Sequence, residues 1–371
     1  MNLHFFLIKK IISSTLFIFL IILFYFNTPL VYAQSDISDN AAPFIRNYSP
    51  KEYQANIINM NVKKDNNGIL YFTNVSGILQ FDGKTWRTID IPKVAFTRSL
   101  DIDNEETVFI GAINTIGMLE TGSTGEKEFV PLMDLIDKGK RNFGEVWKVK
   151  ATTKGVFFVT DKYLFRYYQG KITTWEARGK YFYSAYEVYK ETYVLDSYFG
   201  LLKVEGDSLN MLYDKEDITS LGVYFILPYT QEGKKEILIG RNKDNFLIYN
   251  LETNTTRPFE SELTQDEVNS IYHGILGQDG NYYISTIRNG VICLNPKGKK
   301  IFHITSQNGL STDKVYAAEL DEQGNLWLAL VEGIGKIETG SPFKKYNEED
   351  DLVGIVTAIK LSNNTTLLNI Y

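Results

Sequence analysis

Histidine and cysteine are scarce in this chain, and the few residues of a type that could do catalytic chemistry are not spaced to do it. Beyond residue 33 the histidines are His273 and His303, thirty residues apart. Neither belongs to a His-x-x-x-His or His-Glu-x-x-His pair, the spacing that would turn two imidazoles toward one zinc ion, so no metal is expected. Cys293 is the sole cysteine. It cannot form an internal disulfide, and in the apolar run Val291-Ile292-Cys293-Leu294 it reads as a buried, inert thiol. No Gly-x-Ser-x-Gly elbow and no phosphate-cradling Gly-x-x-x-x-Gly-Lys loop occurs, and no cofactor is expected. Asp101-Ile102-Asp103-Asn104-Glu105-Glu106 has the acidity of a calcium loop without the glycine its sharp turn requires, so it reads as a hairpin turn.

Residues suited to binding are more plentiful. Arg98, Trp147, Tyr183, Tyr224, Tyr272 and Tyr316 fall at matching places in successive stretches of the chain. Aromatic rings stack on sugar faces, and an arginine among them can fix a carboxylate or sulfate with its forked donors. The competing account is that strands are rich in aromatics for packing reasons alone. The densest aromatic stretch runs from Tyr181 through Tyr183, Tyr186 and Tyr189 to Tyr193, Tyr198 and Phe199. Strict alternation would expose one set as a glycan surface or dimer interface and bury the other.

What would bring such residues together is a repeat. Asp65-Asn66-Asn67-Gly68-Ile69-Leu70-Tyr71-Phe72, followed by Gly77-Ile78-Leu79-Gln80-Phe81 and Trp86, returns as Asp321-Glu322-Gln323-Gly324-Asn325-Leu326-Trp327-Leu328, followed by Gly333-Ile334-Gly335-Lys336-Ile337 and Phe343. Marker residues at the strand centres are Tyr71, Phe109, Phe158, Tyr193, Leu238, Tyr283 and Trp327, in steps of 38, 49, 35, 45, 45 and 44 residues. An all-strand period of about 40–45 residues is that of one four-stranded propeller blade. A single small twisted sheet cannot cover both of its faces, whereas blades around an axis cover one another.

The fold class expected is therefore all-β, a β-propeller of seven four-stranded blades over residues 43–347. The first strands are placed at 57–63, 96–102, 146–150, 183–188, 223–227, 270–276 and 315–320. If each first strand lines a central channel, the six binding candidates form a ring on the channel face. Phe44-Ile45-Arg46-Asn47-Tyr48 reads as a lone outer strand that closes the ring by pairing with the far end of the chain. Insertions fall in turns, a glycine-rich one at 121–127 and a short one, able to turn helically, at 132–141. Residues 348–371 read as the start of an eighth, incomplete unit.

The first 33 residues are of another kind. Lys9 and Lys10 precede an apolar run to Phe26, and Val31-Tyr32-Ala33 offers small residues where a signal peptidase reads, so a signal peptide cleaved before Gln34 is expected, with an uncleaved anchor as the alternative. Residues 34–42 read as an exposed leader. Without the signal, 37 basic residues face 45 acidic ones, a net charge of about −8, and no basic stripe remains for nucleic acid. At 44% apolar and 14% aromatic, the chain has the means to hold an exported fold without disulfides.

The unit Asp-x-x-Gly-x-Leu-aromatic-aliphatic, then Gly-Ile and a closing aromatic, behind a signal peptide, resembles the two-component regulator propeller repeat. Pro43 to Tyr53 is similar to the opening of bacterial sensors built on that repeat. The resemblance spans about residues 43–361, and is strongest in the first and last units and at Asp279-Gly280-Asn281-Tyr282-Tyr283. It implies a periplasmic or cell-surface input domain, in chains where propellers precede a membrane span and a cytoplasmic output, neither of which this sequence contains. Sialidase-like propellers need Ser-x-Asp-x-Gly-x-Thr-Trp, whereas the turns here place two residues between Asp and Gly, as turn geometry explains. The function expected is a ligand-binding sensor module for an oligosaccharide or small metabolite, with a propeller–propeller dimer as a further partner and membrane contact only through the N-terminal segment or a span beyond the sequence. Alternatives are a glycan hydrolase or lyase on the same fold, whose paired carboxylates would meet in space, and a cell-surface scaffold for proteins.

Overall fold

The computed structural model describes residues 43–341, apart from residues 93, 95, 214–221, 230–234 and 244–245, together with 356–362 and 365–370. The signal, the leader and residues 342–355 lie outside the described residues.

The repeated phrase folds as its parts require. In the first unit Asp65 Oδ1 accepts from the backbone N–H of Asn67 and Ile69 at 3.0 and 2.8 Å, and Gly68 takes the left-handed φ of 81° that ends the turn. Asp321 does the same for Gln323 and Asn325 at 3.0 and 2.8 Å. The other carboxylate oxygen of Asp321 accepts from Trp327 Nε1 at 3.1 Å, and Asp279 accepts from Tyr283 OH at 2.8 Å. The aspartate thus ties the turn to the buried marker ring, which is why the two recur together. The second glycine opens the third strand: at Gly77, φ is +127° and a Cβ would stand 2.4 Å from the carbonyl oxygen of Ile89.

The strands form seven four-stranded antiparallel sheets. The innermost strands are Asn59–Lys64, Thr97–Ile102, Val146–Thr152, Phe182–Val188, Val223–Tyr229, Ile271–Leu276 and Val315–Leu320, numbered blades 1 to 7 in that order. Seven apolar clusters fill the gaps between neighbouring blades, one to each gap. All seven marker residues are at least 96% buried. The short insertion after blade 2 makes two 3-10 turns, Met133–Leu135 and Lys138–Lys140.

Blade 7 takes its outer strand from the other end of the chain. Ile45–Tyr48 pairs antiparallel with Gly333–Ile337, Ile45 opposite Ile337 and Tyr48 opposite Ile334, as the lone N-terminal strand requires. Tyr48 stacks on Trp327 at 5.4 Å and meets Trp86 and Phe81 edge-on at 5.6 and 5.9 Å, which joins blade 7 to blade 1. At the C-terminus, Val356–Ser362 and Thr365–Ile370 form a separate antiparallel hairpin.

Candidate functional site

Each innermost strand carries the same irregularity. In blade 2, Thr97 pairs with Ala112 and Ser99 with Gly111, so Arg98 has no partner in the ladder. The residue skipped in the others is Met60, Trp147, Tyr183, Tyr224, Tyr272 and Tyr316. A bulge re-aims its extra side chain out of the pleat. Repeated seven times around an axis, it turns one side chain per blade toward the channel. The hairpin at 356–370 has the same register shift, at Thr357.

All six residues singled out from the sequence are bulge residues and line one cavity of about 370 Å³, together with Met60, Lys148, Asp161, Tyr181 and His273. That volume lies within the range of about 300–1,000 Å³ usual for small-ligand sites. Larger grooves of about 850 and 990 Å³ run between the outer strands of blades 3 and 4 and of blades 1 and 2. Each is walled by two blades only, whereas the channel cavity is where all seven converge.

Contacts in the cavity hold the rings in fixed attitudes. Arg98 lies over the Trp147 ring at 5.0 Å, donates from Nη2 to Tyr272 OH at 3.1 Å, and has Nε 3.4 Å from Glu145. Its Nη1 faces Met60 Sδ at 3.2 Å, a weak acceptor. Trp147, 40% exposed, donates from Nε1 to Asp161 at 2.8 Å, which pins the indole at the mouth. Tyr272 meets Tyr316 edge-on at 5.4 Å and Tyr224 at 5.8 Å, and Tyr181 meets Tyr183 edge-on at 4.7 Å with their hydroxyls 3.2 Å apart. Burial, then the bond to Tyr181, pushes the Tyr183 hydroxyl up to about 12. Burial likewise raises Tyr224 and Tyr272. These phenols are neutral donors at physiological pH, suited to hydroxyl-rich ligands. Burial drives His273 well below the usual imidazole value, helped by Lys148, Lys63 and Lys150. Its Nδ1 accepts from the Ala318 N–H at 3.4 Å, which leaves Nε2–H as a donor.

The tyrosine-rich stretch does not form one exposed row, because the bulge at Tyr183 breaks the alternation. Tyr181 and Tyr183 go to the channel, while Tyr186 and Tyr193 are buried between blades 4 and 5. The acidic run at 101–106 divides its work: Asp103 accepts from the N–H groups of Glu105 and Thr107 in a turn, and Asp101 bonds Lys150. Cys293 is 1% exposed, and burial raises its thiol to about 12. Met60 and Lys148 were not singled out from the sequence. Met60 stands at the ring position of blade 1, so counting from the repeat would have found it, whereas Lys148, one residue past Trp147, carries no such signal.

Among the described residues no helix is long and apolar enough to cross a membrane. Neither a protein-family model nor a curated protein matches the sequence. Solved structures do match. The extracellular domain of a protein described as the hybrid two component system BT3049 from B. thetaiotaomicron superposes with a TM-score of 0.65 at 17% identity, over 89% of this chain and 49% of that one. That of BT4673 from the same organism gives 0.60 at 15%, over 86% and 40%. The chain therefore spans half or less of those two structures. Virginiamycin B lyase from Staphylococcus aureus gives 0.61 at 13% identity, over 79% of this chain and 98% of the lyase. The chain is a seven-bladed propeller, similar in fold to these extracellular domains and to a lyase.

Proposed function

We propose that this chain is an extracytoplasmic, ligand-binding input module of a bacterial signal-transduction receptor, and that an oligosaccharide or small metabolite binds at the channel mouth. The observation that carries the reading is the ring of bulges. All seven innermost strands turn their ladder-free residue into the same cavity, and six of the seven side chains there are aromatic or arginine. Packing alone does not call for this, since the apolar core lies between neighbouring blades and the bulge side chains line the channel cavity. The likeness to extracellular domains of two-component proteins, and the signal-like first 33 residues, support an exported sensor. Ligand bound across several blades would shift the population of orientations between this propeller and what adjoins it, and a membrane segment outside the present sequence would carry the change.

The test is the melting temperature of the purified chain against a panel of oligosaccharides and small metabolites, with Trp147→Ala and Arg98→Ala alongside. At a ligand concentration a hundred times Kd the stabilisation is about 2.7 kcal/mol. A ligand-specific rise that both substitutions abolish supports the site, and a well-folded protein that shifts with nothing on the panel moves the reading to a protein-binding scaffold. His273, neutral and facing the cavity, favours one rival, a glycan lyase or hydrolase. Release of new saccharide ends by the purified protein would establish it.

A further inference from the structure

The charges that line the channel beyond the ring do not balance. Three residues past the bulge, blades 7, 1, 2 and 3 present Glu319, Lys63, Asp101 and Lys150, an arc of alternating sign. Lys63 Nζ lies 2.6 Å from Glu319 Oε2, and Lys150 Nζ lies 3.0 Å from Asp101 Oδ2, which also accepts from the Ala151 N–H at 3.0 Å. These four cancel. Lys148, half-buried one residue past the blade 3 bulge, lines both the mouth cavity and a smaller pocket of about 140 Å³ beside this arc. It has no hydrogen-bond or ion-pair partner among the described residues. Arg98 is held on one side by Glu145, 3.4 Å from Nε, and by Tyr272, but its Nη1 meets only the Met60 thioether and is left to bond a ligand. A half-buried cation without a partner costs stability, and an oxyanion would offset the cost.

We propose that Lys148 and Arg98 form an anion subsite in the channel, so that the ligand is acidic: a saccharide carrying a carboxylate or sulfate on a ring that stacks in the aromatic mouth. The inference rests on the sensor-site reading above and names its ligand class. His273 Nε2–H adds a neutral donor. The ionisable groups around Lys148 and Arg98 are Lys63, Asp101, Glu145, Lys150, Asp161, Tyr181, Tyr183, Tyr186, Glu187, Tyr224, Tyr272, His273, Tyr316 and Glu319, from all seven blades. Of the acids among them, Asp101 and Glu319 hold lysines, Glu145 pairs with Arg98 Nε, Asp161 holds Trp147, and Glu187 accepts from the Thr153 N–H at 2.7 Å. Burial, then repulsion from Lys63, lowers the Lys148 ammonium to about 8, so the free site loses its charge just above neutral pH.

The experiment is calorimetric titration of the full chain with trigalacturonate, a chondroitin sulfate disaccharide and neutral maltotriose, repeated for Lys148→Met and for Lys171→Met on the exposed outer strand. At pH 7 an acidic probe is expected to bind at least ~10-fold tighter than maltotriose, as a charge-assisted bond warrants. Lys148→Met should erase that preference and Lys171→Met should keep it. Affinity of the wild type for the acidic probe should fall as the pH is raised from 7.5 to 9.5, and that of Lys148→Met should not. The carboxylate and sulfate arms identify which anion is read. Maltotriose binding as tightly as both acids, or Lys148→Met retaining the preference, overturns the anion subsite and leaves the sensor site standing. No binding of any probe overturns both.

Discussion

Replacing Lys148 by Met should make the unliganded protein more stable at pH 7, the reverse of what most substitutions do. The lysine is held at about 8 against an ordinary 10.5, with burial as the main cause. At ~1.4 kcal/mol per pKa unit that difference has a ceiling of about 3.4 kcal/mol. Because the side chain is only half-buried, screening by water reduces the expected gain to about 1–2 kcal/mol. For a chain of this size that is a rise of roughly 2–4 °C in Tm. The pH dependence fixes the cause. Between about 8 and 10.5 the unfolded chain holds the Lys148 proton and the folded chain does not, so wild-type stability rises with pH across that window. The cost of the buried ammonium is fully present below about 8 and gone above 10.5. Met keeps the aliphatic stem and removes the charge, so the advantage of the variant should be full at pH 7 and shrink toward nothing near pH 10.5. Melting curves of both proteins at the two pH values make the measurement, other titrating groups cancelling in the difference. A variant that melts lower at pH 7, or whose gain is the same at both pH values, would refute the reasoning.

Four further outcomes follow from the fold. Tyr48→Ala removes the ring that joins blade 7 to blade 1 and should cost about 3–5 kcal/mol in urea unfolding. Gly77→Ala meets the Ile89 carbonyl at 2.4 Å and should cost about 2–4 kcal/mol, whereas Gly83→Ala, at a φ of +91° with open space around it, should cost about 1 kcal/mol. Asp321→Ala loses two turn bonds and the Trp327 bond, for about 2–3 kcal/mol, and the shift of the urea midpoint reads it. Cys293 should stay unlabelled by a thiol reagent at pH 8 and react only on unfolding, since it is buried and its thiol is raised to about 12.

Much of this architecture was legible because the repeat is plain in its first and last units. There an Asp-x-x-Gly turn and a marker ring are bonded to each other, so they recur as a pair, and aligning the other units on the marker position places every inner strand to within about two residues. The closing strand was legible because Ile45–Tyr48 had no partner nearby in sequence. The ring residues were legible from the same alignment, but the bulge that aims them was not, since one extra residue in a strand leaves no trace in composition. For that reason the tyrosine-rich strand of blade 4 read as simple alternation, which the bulge at Tyr183 interrupts. Lys148 was hidden for a related reason. Next to Lys150 in a strand it looks like any solvated lysine, and only the pairing of Lys150 with Asp101 across to blade 2 reveals which of the two is left alone.

The closing strand also sets an order of events. Ile45 leaves the ribosome nearly three hundred residues ahead of Ile337, the residue it must lie opposite. Until that moment one end of the growing chain offers a bare strand and blade 1 offers an uncovered apolar face, the two features that invite association with other chains. Native pairing of that strand is thus the longest-range contact in the ring, and long-range contacts are slow to form. Six blades can assemble in step with synthesis, but the last one is a joint event between the oldest and the newest parts of the chain.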